Sequence, residues 1–159
     1  MGKQFLEEGM VKRFLFFAAL AAIATLAHAA TMEDEVRAVF DKYIAIQNAH
    51  DLKSMRSLLA DSPDLLWISR GKPIWGREAA LKSLEERYRG TWRIDVDRKE
   101  LRIISVSRRV AQVYAPTQLT VGDPGVDPAK ARLYINLVMV KKPEGWQIVS
   151  ILPILVSPQ

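Results

Sequence analysis

Apolar side chains in the first part of the chain recur three and four residues apart. Val36, Phe40, Tyr43, Ile44 and Gln47 share one helical face as far as about Asn48. Thr31 stands where a helix cap is needed, and Glu33, Asp34 and Glu35 fill the first turn, where the helix dipole favours negative charge. Asn48-Ala49-His50 breaks this pattern, and Asp51 then caps a short second helix with Leu52, Met55, Leu58 and Leu59 on its buried side, ended by Pro63. Leu65 to Ser69 reads as a strand, Gly71-Lys72-Pro73 as a turn and Ile74-Trp75 as its short return. A third helix is expected from Arg77 to Arg89, burying Ala80, Leu81, Leu84 and Tyr88, with Gly90 as a left-handed stop.

After Gly90 the period changes from helical to two. Trp92 to Ser107 reads as one long strand, turned by Arg108-Arg109 into Val110 to Val121. A loop from Gly122 to Pro128 leads into Ala131 to Lys141, and Pro143-Glu144-Gly145 makes a hairpin into Trp146 to Val156. Helices first and long antiparallel strands last is an α+β order, distinct from alternating βαβ. Long strands of this kind twist and curl, so three helices lying across the concave side enclose a cone, either filled or hollow.

The extreme N-terminus has another logic. Lys12-Arg13 precede an apolar run of 14 residues, Phe14 to Ala27, and Ala27-His28-Ala29 supplies a small-x-small cleavage pattern. The run falls short of the ~20 residues that span a hydrocarbon core. Residues 1–29 therefore read as a signal peptide and 30–159 as a single domain, exported to the periplasm or secreted, with no permanent membrane insertion after cleavage. Glu7 and Glu8 are out of place in a basic leader, so Met10 is the better start. Of the chain's 23 Lys/Arg and 18 Asp/Glu, three and two fall in residues 1–29, which leaves a net charge of +4. The basic residues are interleaved with acidic ones (Arg93, Arg98 and Lys99 with Asp95, Asp97 and Glu100), whereas nucleic-acid binding calls for a single-sign face. The chain has no cysteine, so disulfides, thiol nucleophiles and Cys-ligated metals are excluded.

Several segments carry a resemblance. Asp41 to Leu52, ending Asn48-Ala49-His50-Asp51-Leu52, resembles the first-helix segment of the nuclear transport factor 2-like superfamily, nearest to its SnoaL-like and ketosteroid-isomerase-like members. Trp67-Ile68-Ser69 with Gly71, followed by Gly76-Arg77-Glu78-Ala79, is similar to the hairpin and helix start of those proteins. Lys142-Pro143-Glu144-Gly145-Trp146-Gln147-Ile148 is similar to their terminal hairpin. The resemblance implies a cystatin-like cone, three helices on a strongly curved, mostly antiparallel sheet, and a homodimer formed through the outer sheet face.

It also implies what to look for in the site. In the ketosteroid-isomerase branch a carboxylate abstracts a proton while a tyrosine and a protonated aspartic acid hold the oxyanion. Tyr43 matches the oxyanion tyrosine, the position of the base falls on Trp67, and Asn136 matches the second donor. An indole has one N–H and accepts no proton at neutral pH, so steroid-type isomerisation is not expected. Trp67 and Trp75 flank the hairpin by the cone's mouth, and Arg132 and Tyr134 share a strand face with Asn136. If that face is the cavity wall, Arg132 favours an anionic or carbonyl ligand; if it is the outer face, these residues serve a dimer.

The expected pocket thus comprises Tyr43, Trp67, Trp75, Arg132, Tyr134 and Asn136, with no catalytic residue assigned. His50, the one histidine beyond residue 29, reads as a turn residue, and Asp123 and Asp127 as loop residues outside any calcium-loop pattern. No metal or cofactor is expected. The expected function is a binding protein for a small organic molecule. The alternatives are an isomerase-, cyclase- or dehydratase-type enzyme with relocated residues, such as Asp64, and an oligomerisation module with a filled cone.

Overall fold

The computed structural model describes residues 31–156; the expected signal peptide and its alternative start at Met10 lie outside the described residues. Among the described residues three helices, α1 (Met32–Ala49), α2 (Leu52–Leu58) and α3 (Arg77–Arg87), accompany seven strands. The strands are β1 (Leu66–Ser69), β2 (Lys72–Trp75), β3 (Thr91–Val96), β4 (Arg102–Ser107), β5 (Val110–Gly122), β6 (Ala129–Lys142) and β7 (Gly145–Leu155). They form one sheet in the order β2-β1-β7-β6-β5-β3, with β4 also paired to β5; only β1 with β7 is parallel. This is an α+β, cystatin-like cone of three helices on a curved, mostly antiparallel sheet. No helix among the described residues is long and apolar enough to cross a membrane.

Local sequence explains the helix ends. Thr31 Oγ1 accepts the Asp34 amide hydrogen at 3.1 Å and Asp34 Oδ2 receives the Thr31 amide at the same distance, a reciprocal cap. At the other end His50 takes the left-handed conformation, φ 56°, and the His50 and Asp51 amides close back onto Gln47 and Ile46 carbonyls. Asp51 then caps α2 by accepting the Ser54 amide at 3.0 Å. The chain reverses within these few residues, which folds α2 back beside α1.

Two expectations are corrected. The stretch Trp92–Ser107 is not one strand but two, because Asp97 leaves the ladder to accept the Lys99 amide at 3.0 Å in a local turn. Pro116, which has no N–H to offer, sits opposite this break and only accepts, from the Asp97 amide at 2.9 Å. β3 and β4 thus flank successive halves of β5. Gly90 is not a left-handed stop either. A Cβ there would lie 2.1 Å from the Gly122 carbonyl oxygen, so glycine is required by the close approach of the two chain segments.

The core sits between the helices and the concave sheet face. Phe40, Met55, Leu59, Val113, Leu137, Met139 and Ile148, all completely buried, fill the end where Ala111 and Val113 of β5 pair with Met139 and Leu137 of β6. A bulge between Val138 and Met139 in the β6–β7 pairing adds local twist there. Toward the opposite end of β5 and β6 the packing opens.

Candidate functional site

A cavity of about 440 Å³ occupies that open end. Its floor is the inward-facing set of the long strands, Leu119 and Val121 from β5, Leu133 and Ile135 from β6, Ile151 and Pro153 from β7. Its sides come from Trp67 and Ser69 on β1, Trp92 and Ile94 on β3, Tyr43 and Gln47 on α1, and Arg87 at the end of α3. The walls are chiefly aliphatic and aromatic, with few polar groups. That is the usual make-up of a small-molecule site.

The polar groups are organised by Gln47, which is 1% exposed. Its Oε1 accepts the Tyr88 hydroxyl at 2.7 Å and the Trp92 indole N–H at 3.0 Å, and its Nε2 donates to the Tyr43 hydroxyl oxygen at 2.9 Å. The i,i+4 spacing on α1 stacks Gln47 one turn above Tyr43. Tyr43 is 2% exposed, and burial pushes its phenol up to about 12, only partly offset by the hydrogen bond from Gln47. Burial raises Tyr88 as well. Tyr43 therefore stays neutral across the physiological range. Its oxygen is taken by Gln47, while its own hydrogen meets no acceptor among the described residues and is left for whatever enters the cavity.

α1 is held over this network by its C-terminal residues. Asn48 grips Ile94 on β3 with both ends of its amide, Nδ2 to the carbonyl at 2.9 Å and Oδ1 from the amide at 2.8 Å. His50 Nε2 lies 3.0 Å from the Trp92 carbonyl oxygen, and its ring stacks on Tyr88 at 4.5 Å. A carbonyl only accepts, so that nitrogen carries the hydrogen. The Asn-Ala-His segment thus fastens the cavity's side wall, and His50 does not line the cavity.

Arg87 is the site's unusual member. Its guanidinium lies over the Trp67 and the Trp92 rings, 5.3 and 5.5 Å from their centroids, and Nη2 donates to the Ser69 hydroxyl. Its Nε is buried without a hydrogen-bond partner. Burial holds the guanidinium below its ordinary range, with a contribution from Arg70, opposed by Glu86. The only ionisable side chains lining the cavity are Tyr43, Arg70 and Arg87; no Asp, Glu or His does so among the described residues.

Of the six expected pocket residues, Tyr43 and Trp67 line the cavity, Trp67 being 4% exposed. The other four do not. Trp75 lies on β2, the outermost strand, and is 56% exposed. Arg132, Tyr134 and Asn136 are on the convex face, because alternation along β6 turns Leu133, Ile135 and Leu137 inward. There Asn136 Oδ1 accepts from Gln112 Nε2 at 3.0 Å, and Tyr134 lies against Tyr114 at 5.5 Å. Asp64 is exposed and outside the cavity, as are Asp123 and Asp127, and no group of three or more metal-ligating side chains occurs among the described residues.

Gln47, Ser69, Arg87 and Trp92 were not expected as site residues. Two of them carried a signal. Gln47 is a polar residue on the buried stripe of α1, and Arg87 follows Ala80 and Leu84 at helical spacing, which puts a cation on an apolar stripe.

A roofed, curved sheet with these elements in this order defines the nuclear transport factor 2-like class of folds. A nuclear transport factor 2-like superfamily protein from Salmonella enterica superposes with a TM-score of 0.69 at 15% identity, over 78% of this chain and 90% of that one. An uncharacterised cystatin-like protein from Caulobacter vibrioides gives 0.68 at 14%, over 79% and 90%. A candidate dehydratase of the same superfamily from Streptomyces avermitilis gives 0.67 at 18%, over 79% and 97%. Identities this low speak to fold alone. No curated protein matches significantly by sequence. Within the class, residues 36–152 match the SnoaL-like domain, and the chain belongs to that family.

Proposed function

We propose that this protein binds a small, largely apolar organic molecule in the cavity, with the neutral Tyr43 hydroxyl donating to a carbonyl or similar acceptor on it. The observation that carries this reading is a buried phenol that lines an apolar cavity of about 440 Å³, its oxygen already engaged by Gln47 and its hydrogen given to no acceptor among the described residues. The position at which the resemblance expects a base holds Trp67, and no side chain lining the cavity takes up a proton near neutral pH. Binding without isomerase chemistry is the reading these walls support. In the same proposal the molecule acts in the periplasm or outside the cell, as Lys12-Arg13, the apolar run and Ala27-His28-Ala29 suggest, and as a homodimer through the convex sheet face.

Thermal-shift titration with 2-acetylnaphthalene, a neutral aryl ketone, tests it. A ligand at 100 times its dissociation constant adds ~2.7 kcal/mol to stability. Tyr43→Phe removes one hydrogen bond and weakens binding by about two- to tenfold. Equal affinity for wild type and Tyr43→Phe would remove the assigned role of the hydroxyl. Deuterium exchange at the ketone's α-carbon above background, lost in Tyr43→Phe, would replace binding by catalysis.

A further inference from the structure

Arginines in this domain follow a rule with one exception. Arg37, Arg56, Arg77, Arg93 and Arg98 each pair with a carboxylate: Glu33, Glu78, Asp61, Asp95 and Asp41. The remaining arginines among the described residues are exposed, except Arg87. Arg87 is half-buried and forms no ion pair; its buried Nε–H is unspent, as is that of Arg77, but Arg77 has Asp61 as a counter-ion. Glu86 and Asp123 line the adjoining hollow with Arg70 and Arg87, yet neither pairs with it. Taking a cation partly out of water without an ion pair is unfavourable, and the nearby charge of Glu86 and the faces of Trp67 and Trp92 compensate it only in part. Ser69 adds a second free donor, since its oxygen accepts from Arg87 and its own hydrogen is uncommitted among the described residues. Arg70, on the adjacent turn, makes the same rim more positive.

We propose that the natural ligand is a small amphipathic carboxylate, its charged group seated at the rim on Arg87 and Ser69 and its apolar body lying among Leu119, Leu133 and Ile151. The proposal rests on the reading of the cavity as a binding site and adds the ligand's charge. A guanidinium fork with one edge free matches the planar geometry of a carboxylate, and the faces of Trp67 and Trp92 hold the fork in place. The apolar floor excludes ligands that are polar throughout.

A matched pair of probes tests this by titration calorimetry: 3-(2-naphthyl)propanoate and its primary amide, which share shape and carbonyl and differ in charge. Hydrogen bonds to a charged group favour the acid by about tenfold or more in the wild type. Raising salt from about 0.05 to 0.5 M narrows that preference, as screening of a rim charge requires. Arg87→Gln brings acid and amide to the same affinity, and Ser69→Ala reduces the ratio part of the way. Amide bound as tightly as acid by the wild-type protein overturns the carboxylate seat alone and leaves the cavity reading standing. Binding of neither probe overturns both. An acid-over-amide ratio unchanged in a folded Arg87→Gln protein overturns the assignment to Arg87, and the wild-type ratio decides the charge preference even if that variant does not fold.

Discussion

Gln47→Leu is the most informative single perturbation of the architecture, because it keeps the side chain's size and removes every polar atom. In the native protein Gln47 satisfies three groups: the Trp92 indole N–H, the Tyr88 hydroxyl and the Tyr43 hydroxyl oxygen. Leucine leaves the Trp92 donor buried and unpaired at a cost of about 2 kcal/mol, within the range for an orphaned buried donor. Tyr88 is half-buried and turns toward water, so its loss comes to about 1 kcal/mol. Relief from burying the amide offsets part of this, and the net destabilisation is about 2 kcal/mol. With a urea m-value near 1.5 kcal/mol/M the unfolding midpoint falls by about 1.3 M at unchanged m. The decisive control is a double-mutant cycle. Tyr88→Phe costs about 1 kcal/mol in the wild-type background and close to nothing beside Gln47→Leu, since its partner is already gone. If the two penalties add to within about 0.3 kcal/mol, the amide hub does not organise the cavity wall and the account given for Tyr43 fails with it.

Three further outcomes are expected. Asn48→Ala removes both hydrogen bonds to Ile94 and destabilises the domain by about 1–3 kcal/mol, with faster amide hydrogen exchange at Ile94 than at Val113; equal exchange at both sites would contradict the clasp. The Glu35 carboxyl is held below its usual range by hydrogen bonds from the Lys141 ammonium and the Trp146 indole. A depressed folded-state value gives stability that is present above the unfolded value and lost as pH falls through the folded one. Glu35→Gln therefore melts below wild type near pH 7, and the two melting temperatures converge below about pH 4; a gap that stays constant with pH would refute this. Sedimentation of residues 31–159 gives a dimer, and Asn136→Arg on the convex face shifts it toward monomer. A monomer at about 100 μM, well above the dissociation constant of a specific homodimer, would exclude that face as an interface.

Periodicity alone made most of the fold legible, and the failures have local physical causes. Helix α1 was readable from Thr31 to His50 because its cap, its acidic first turn and its 3.6-residue stripe agree. The long strand expected from Trp92 to Ser107 failed because alternation persists on both sides of Asp97-Arg98-Lys99-Glu100, and pattern does not reveal that Asp97 prefers a turn. The face of β6 was ambiguous for a different reason. Leu133, Ile135 and Leu137 alternate with Tyr134, Asn136 and Val138, so both faces are largely apolar and period two selects neither. Burial resolves the ambiguity and moves Arg132, Tyr134 and Asn136 out of the cavity. Had that face been the cavity wall, Arg132 would have favoured an anionic or carbonyl ligand; the cations that line the cavity are Arg87 and Arg70, contributed by other elements.

That exchange of one arginine for another changes the meaning of Trp67. A carboxylate at this position, within a few ångströms of Arg87, would pair with it, and an opposite charge at that range drops a carboxyl's pKa by about 1–3 units. Such an acid would be a weaker base than the same group in an apolar pocket, and the guanidinium would have nothing left to offer a ligand. An indole does the opposite. It supports the cation through its face, consumes none of its donors and widens the apolar wall below it. Trp67 and Arg87 are therefore a matched pair: given an arginine here, tryptophan leaves it free to bind, whereas an acid would neutralise it. On that logic the indole and the unpaired cation are two sides of one arrangement, and the proposed carboxylate seat depends on both.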